Sequence, residues 1–242
     1  MSIHNEISVA TAPPIPRRPT LANRFQIHLV TDRESARGDL PGVIEAALRG
    51  GVDWVQLREK TGSALGLYEM ARKFLPEARK AGAGLLLNDR IDVALAADVD
   101  GVQLAAGSLP PGVASELLGE RVIGVSVHGL EEAREAADAG ADYVTFGHVY
   151  PTSSKPGLPP RGIHGLAEIV ESVDVPVIAI GGIDASNVRE VLGTGCAGVA
   201  VISAIMMADR PEREARALRR AVDDSRHYPR HPLPEPKQKG TR

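Results

Sequence analysis

The chain has 242 residues, 43% of them hydrophobic and only 3% aromatic, and a formal net charge of −3 at pH 7. That length suits one large domain or two small ones, and basic residues this scattered exclude the basic face of a nucleic-acid binder. A single cysteine, Cys196, excludes an intramolecular disulfide and a cysteine metal cluster and is expected to serve packing, while no apolar run approaches the roughly 18 residues of a membrane span.

Residues 1–23 contain Pro13, Pro14, Pro16 and Pro19 and no periodic pattern. They are expected to form a disordered N-terminal tail. They show no secretory h-region, so a cytoplasmic location is expected. From there short β-branched runs alternate with helical stretches. Strands are expected at 25–31, 54–57, 84–88, 101–104, 122–127, 143–146, 177–180 and 198–202. Helices are expected at 41–48, 65–80, 91–96, 113–118, 130–138, 165–172, 186–192 and 211–223. Continuous apolar strands bounded by helices argue for parallel strands covered on both faces. Eight such pairs over residues 24–224 predict a single α/β domain, a (β/α)8 TIM barrel, a fold that takes about 250 residues and about 200 when loops are short; an open doubly wound sheet is the alternative. Residues 225–242, again proline-rich and polar, are expected to form a second disordered tail.

A phrase recurs along the chain: Gly50-Gly51-Val52-Asp53-Trp54-Val55, Ala97-Asp98-Val99-Asp100-Gly101-Val102, Ala139-Gly140-Ala141-Asp142-Tyr143-Val144 and Thr194-Gly195-Cys196-Ala197-Gly198-Val199. Each follows a helical stretch and opens an apolar run. That pattern reads as a helix C-cap followed by a tight turn into a strand.

A barrel of this type places its site on the loops that follow the strands. Three features stand out there. Gly181 and Gly182 follow strand seven, and Ile202 and Ser203 end strand eight. Loops seven and eight often build a phosphate site, because glycine lets backbone N–H groups approach an anion. Asp184 and Ser186 stand nearby as helix-capping residues. The plain alternative is a pair of turn glycines. Next, Gln56, Arg58 and Lys60 alternate at the end of strand two, so they share a face if the strand extends that far. Converging Arg and Lys suit phosphate, pyrophosphate or carboxylate; a surface ion pair with Glu59 is the plain alternative. Finally, His128 ends strand five and His148 ends strand six. An imidazole both gives and takes protons near neutral pH. His28, inside strand one, and His164, heading a helix, read as structural. The loop 151–162, rich in Thr, Ser, Pro and Gly, reads either as a cover over a ligand or as solvated surface. Asp89 is a reasonable magnesium ligand, but no carboxylate follows in the strand-four loop until Glu116, so a metal site is poorly supported.

These residues carry a resemblance. The run Val55-Gln56-Leu57-Arg58-Glu59-Lys60, the step Asn88-Asp89-Arg90, the loop Tyr150-Pro151-Thr152-Ser153-Ser154-Lys155, and Ile180-Gly181-Gly182-Ile183 resemble the thiamine phosphate synthase superfamily. Val201-Ile202-Ser203-Ala204-Ile205 fits too, and the match runs over roughly residues 25–222. The resemblance implies one of two activities. A synthase joins hydroxymethylpyrimidine pyrophosphate to thiazole phosphate with Mg2+. A thiazole tautomerase (TenI type) aromatises a thiazole carboxylate phosphate without cofactor.

Two departures resemble the tautomerase: Ser108 stands where the synthase pattern has an acid, and Gly147-His148 stands where it has Gly-Pro. The resemblance therefore implies His128 as catalytic residue. It implies substrate contacts at Gln56, Arg58, Lys60, Asn88, Ser126, His148, Thr152, Ser154, Lys155, Gly181, Gly182, Ile202 and Ser203. Asp89 is a metal ligand only for a synthase. The leading expectation is the tautomerase, with the synthase as first alternative and a non-catalytic ligand-binding barrel as second. The expected partner is a small thiazole phosphate, with no nucleic acid and no membrane, and with a homo-oligomer open.

Overall fold

A computed structural model describes residues 24–233. Eight parallel strands close into a barrel in sequence order. They are β1 (Gln26–Val30), β2 (Trp54–Leu57), β3 (Gly84–Asn88), β4 (Gly101–Leu104), β5 (Val122–Val127), β6 (Tyr143–Gly147), β7 (Val177–Ile180) and β8 (Gly198–Val201). The helices are α1 (Leu40–Gly50), α2 (Ala64–Lys80), α3 (Ile91–Ala97), α4 (Pro111–Leu118), α5 (Leu130–Asp138), α6 (Gly162–Ser172), α7 (Val188–Leu192), the short α8 (Ser203–Met206) and α9 (Pro211–Asp223). The ring closes where β1 pairs with β8, Gln26 opposite Gly198 and Leu29 opposite Val201. The open-sheet alternative is thereby excluded. Among the described residues no helix is long and apolar enough to cross a membrane.

The recurring phrase has a double physical meaning. Its second residue always has positive φ: Gly51 at 93°, Asp98 at 58°, Gly140 at 91° and Gly195 at 81°. That left-handed step turns the chain out of a helix and toward the next strand. Its fourth residue, where it is aspartate, fastens neighbouring strands. Oδ2 of Asp53 accepts from the Ile27 N–H, that of Asp100 from Leu85, and that of Asp142 from Ile123, each at 2.8 Å. Each even-numbered strand thus begins by hydrogen bonding the backbone of the strand before it. The fourth copy has Ala197 instead, whose own N–H donates to Val177 O at 2.7 Å. Burial pushes the Asp100 carboxyl up from its ordinary range, against the lowering effect of the Leu85 N–H.

Outside the ring, apolar residues of strands and helices form the main core. Inside it, large side chains face glycines. A Cβ on Gly84 would lie 2.2 Å from the Trp54 ring, and one on Gly124 equally close to Tyr143. His28 sits between those two rings, 5.9 Å from Trp54 and 5.6 Å from Tyr143 between centroids. It is a buried structural histidine, as expected. Burial alone pulls its pKa down to about 3.

The end of the barrel where strands begin is closed by charge and by chain. Arg219 of α9 donates to Phe25 O and to Asp53. Past α9, Pro229 is buried and the Arg230 N–H donates to Gly195 O at 2.8 Å. Leu233 packs against the interior cluster that contains Trp54 and Tyr143. This corrects part of the expectation for residues 225–242: the stretch 225–233 is docked, because its apolar Pro and Leu find a surface that polarity alone does not reveal. Residues 1–23 and 234–242, expected as tails, lie outside the described residues.

Candidate active site

At the opposite end of the ring the strands leave a cavity of about 650 Å³. Its floor is polar because inward positions near the strand ends carry amides and hydroxyls. Gln56 Nε2 donates to Asn88 Oδ1 at 3.2 Å, and Gln103 Nε2 donates to Ser126 Oγ at 3.0 Å. Gln103 Oε1 accepts from the Tyr143 hydroxyl at 2.7 Å and from Thr145 Oγ1 at 3.3 Å. A buried network with these partners holds its members in fixed directions.

One wall is cationic. Arg58 and Lys60 both line the cavity with Gln56, although β2 ends at Leu57 and the two cations stand on the loop beyond it. Both lean toward Asp32, Lys60 at 3.7 Å and Arg58 at 4.0 Å. Glu59 is paired instead with Arg33 at 3.1 Å, so the simple ion-pair alternative does not describe these two cations. The Arg58 backbone N–H donates to Thr31 Oγ1 at 2.9 Å, which fixes the loop.

Another wall is built by Gly181 and Gly182, with φ of 105° and 66°, and by Ile202 and Ser203, the latter opening α8. The glycines are also required sterically. A Cβ on Gly181 would stand 2.3 Å from His148 Cβ, and one on Gly182 2.5 Å from Pro151 O. Asn187 Nδ2 holds Gly182 O at 2.8 Å. Helix α7 starts at Val188, later than the expected 186, because Asp184 Oδ1 accepts from the Ser186 N–H and spends that stretch on a turn.

The third wall comes from β5, β6 and the loop after β6. Lys155 Nζ donates to His128 Nε2 at 3.0 Å. An ammonium has donors only, so Nε2 is the unprotonated nitrogen. His128 Nδ1 faces Glu132 Oε2 at 3.3 Å, and that same oxygen accepts the His128 backbone N–H at 2.7 Å. His148 is 5% exposed, and its Nε2 lies 3.3 Å from Leu158 O. The loop is tied down further where the Arg161 and Gly162 N–H groups donate to His148 O and Val149 O. Its residues Thr152, Ser153, Ser154 and Lys155 line the cavity.

Every residue expected to touch substrate lines this one cavity: Gln56, Arg58, Lys60, Asn88, Ser126, His128, His148, Thr152, Ser154, Lys155, Gly181, Gly182, Ile202 and Ser203; Asp89, expected as a metal ligand only for a synthase, stands outside that lining. His164 lies exposed on α6, away from it. Sequence reasoning missed Gln103 and Thr145, which line the floor, and Asp32 at the cationic wall. The inward alternation on β4 and β6 was the available signal for the first two.

Magnesium, which the resemblance implies for a synthase, meets an incomplete donor set. Asp89 offers one carboxylate after β3, exposed and at the edge of the cavity rather than in its lining. Ser108 offers a hydroxyl whose oxygen already accepts the Ala105 N–H at 2.8 Å. Among the described residues no three His, Cys, Asp or Glu groups gather as a metal site. Such a set fits an ion held by one carboxylate together with substrate phosphate oxygens, and does not fit a two-carboxylate site.

Fold and cavity together define the class: a (β/α)8 barrel with cationic and glycine-rich walls facing one polar cavity at the strand ends. The chain belongs to the thiamine monophosphate synthase family, whose sequence model matches residues 27–205. A thiamine-phosphate synthase of Pyrococcus furiosus is 43% identical over 204 residues, covering 84% of this chain and 98% of the relative. A protein of Geobacter sulfurreducens, whose name as a thiamine-phosphate synthase is provisional, is 50% identical over 197 residues, 80% of this chain and 92% of its own. Among solved structures, thiamine phosphate pyrophosphorylase from Pyrococcus furiosus superposes with a TM-score of 0.78 at 41% identity, covering 84% of this chain and 98% of that one.

Proposed function

We propose that the chain is a thiamine-phosphate synthase, joining an aminopyrimidine methyl pyrophosphate to a thiazole phosphate. One observation carries this reading: a single cavity of about 650 Å³ presents two anion-binding walls, Arg58 and Lys60 on the loop after β2 and Gly181, Gly182 and Ser203 on the β7 and β8 loops. Two substrates with two separate phosphate groups suit two such walls. The relatives' names support it, and they favour it over the tautomerase that the sequence first led us to expect.

In this reading the bond from the pyrimidine methylene carbon to the pyrophosphate oxygen breaks, and its electron pair leaves with pyrophosphate. The thiazole nitrogen then donates its lone pair to that carbon. Arg58, Lys60 and Lys155 neutralise the charge that grows on the leaving group, the largest contribution a preformed site makes. Gln56 and Asn88 orient the pyrimidine, and the glycine wall with Ser203 holds the thiazole phosphate in line. Magnesium, when bound, supplies further charge neutralisation of pyrophosphate, and Asp89 is the residue that would hold it.

A second reading, the thiazole tautomerase, has its own supporting observations: the unprotonated Nε2 of His128 at the cavity and Ser108 in place of an acid. A proton shift needs one such group and no metal. The deciding experiment incubates purified protein with pyrimidine pyrophosphate, thiazole phosphate and Mg2+, and separately with the thiazole carboxylate tautomer. Thiamine phosphate and pyrophosphate released in equal amounts are expected. Turnover of the tautomer alone would replace the synthase with the tautomerase, and thiazole phosphate binding without either turnover would make the barrel a binding protein.

A further inference from the structure

The Glu132 carboxylate lies outside the cavity lining, yet it touches a residue within it. Glu132 is the third residue of α5, and no side chain of the preceding Gly129 caps that helix. Its Oε2 reaches back to the His128 backbone N–H at 2.7 Å, as a carboxylate in a first helical turn does. The same oxygen faces His128 Nδ1 at 3.3 Å. Two contacts from one atom fix both the backbone and the ring. A neutral imidazole carries one N–H, and a carboxylate accepts only. The proton therefore sits on Nδ1, and the lone pair on Nε2 points at Lys155 Nζ, 3.0 Å away. The line Glu132–His128–Lys155 joins an exposed helix terminus to the cavity wall.

We propose that Glu132 is a positioning residue: it sets the His128 tautomer, and through that the direction of Lys155 into the cavity. Without the carboxylate only Lys155 still favours the proton on Nδ1, and the form with the proton on Nε2 gains population. That N–H would face an ammonium that also only donates, and Lys155 would swing away. Lys155 is where the proposed function needs a cation on the leaving pyrophosphate, so the kinetic consequence rests on that reading. The tautomer does not.

The test uses the full chain with Glu132→Ala and Glu132→Gln, each first shown to keep the wild-type melting profile. Nitrogen-15 spectra of labelled histidine, with the His128 signal assigned by its loss in His128→Asn, report which ring nitrogen is protonated. Wild type is expected to show the proton on Nδ1. Glu132→Ala is expected to move it toward Nε2 and to lower kcat roughly 10- to 100-fold, the scale for losing a partner that orients an imidazole, with the KM for thiazole phosphate unchanged. Glu132→Gln keeps an acceptor oxygen and is expected to restore both. An unchanged His128 spectrum in Glu132→Ala overturns the proposal, as does a Gln variant as impaired as the Ala variant. Should wild type lack condensation activity, the functional reading fails, and the spectra alone still decide the role of Glu132.

Discussion

Arg219 and Asp53 meet at 2.9 Å, 166 residues apart in sequence, under the closed end of the barrel. Arg219 is 8% exposed and Asp53 2%. Breaking a fully isolated buried pair costs about 3–5 kcal/mol, but Asp53 keeps Arg24 at 3.9 Å and the Ile27 N–H when Arg219 is removed. Arg219→Met is therefore expected to lose less than that full amount, about 1–3 kcal/mol, in urea denaturation. Asp53→Asn with Arg219→Met is expected to recover part of it, because Asn still accepts from Ile27. A double variant no better than the single one would show that the charge is not the cause.

His28 gives a pH dependence with a definite sign. Its folded pKa falls to about 3 through burial, below the ordinary value near 6.5. The unfolded chain therefore binds a proton that the folded chain refuses. The stability concerned is present above about pH 6.5 and is lost as pH falls through that window, by about 1.4 kcal/mol per unit. Denaturation midpoints of wild type and His28→Gln between pH 7 and 4.5 are expected to converge as pH drops. Parallel curves would exclude His28 as the source.

Gly181 and Gly157 separate crowding from backbone strain. Both have positive φ, 105° and 76°, but only Gly181 has a neighbour at 2.3 Å, His148 Cβ. Gly157→Ala is expected to cost no more than the backbone term of about 1 kcal/mol. Gly181→Ala adds overpacking of about 1–3 kcal/mol and should weaken thiazole phosphate binding by calorimetry. Equal effects from the two would refute the crowding.

The proposed synthase reading, with magnesium on the pyrophosphate, puts Ser108 where the synthase pattern has an acid. Ser108→Asp is expected to lower the magnesium concentration for half-maximal condensation by about tenfold, since ligand charge tunes such affinities. A titration curve that does not move would place the ion elsewhere.

The fold was largely legible because buried parallel strands write themselves as unbroken apolar runs. β2, β3, β4, β5 and β7 fall where the sequence predicts them. Helix α8 was not legible, since four residues show no helical period. The cavity membership of Arg58, Lys60 and the paired glycines followed from their position on loops after the strands. The contact between His128 and Lys155 did not. Those residues are 27 apart in two different loops, and only the closed ring brings them together. Residues 225–233 read as tail because docking of Leu233 depends on an opening that exists only after closure.

Closure has a consequence for how the protein is born. The outer edge of β1 has no partner until β8 arrives, so the ribosome must translate past Val201 before the sheet loses its free edges. Pairings this distant form slowly. Until then a nascent chain shows an unpaired strand and bare apolar faces, the state most prone to stick to its neighbours. For this barrel the hazardous interval lies in synthesis, and an attendant chaperone is the remedy to apply when yields of folded protein are poor.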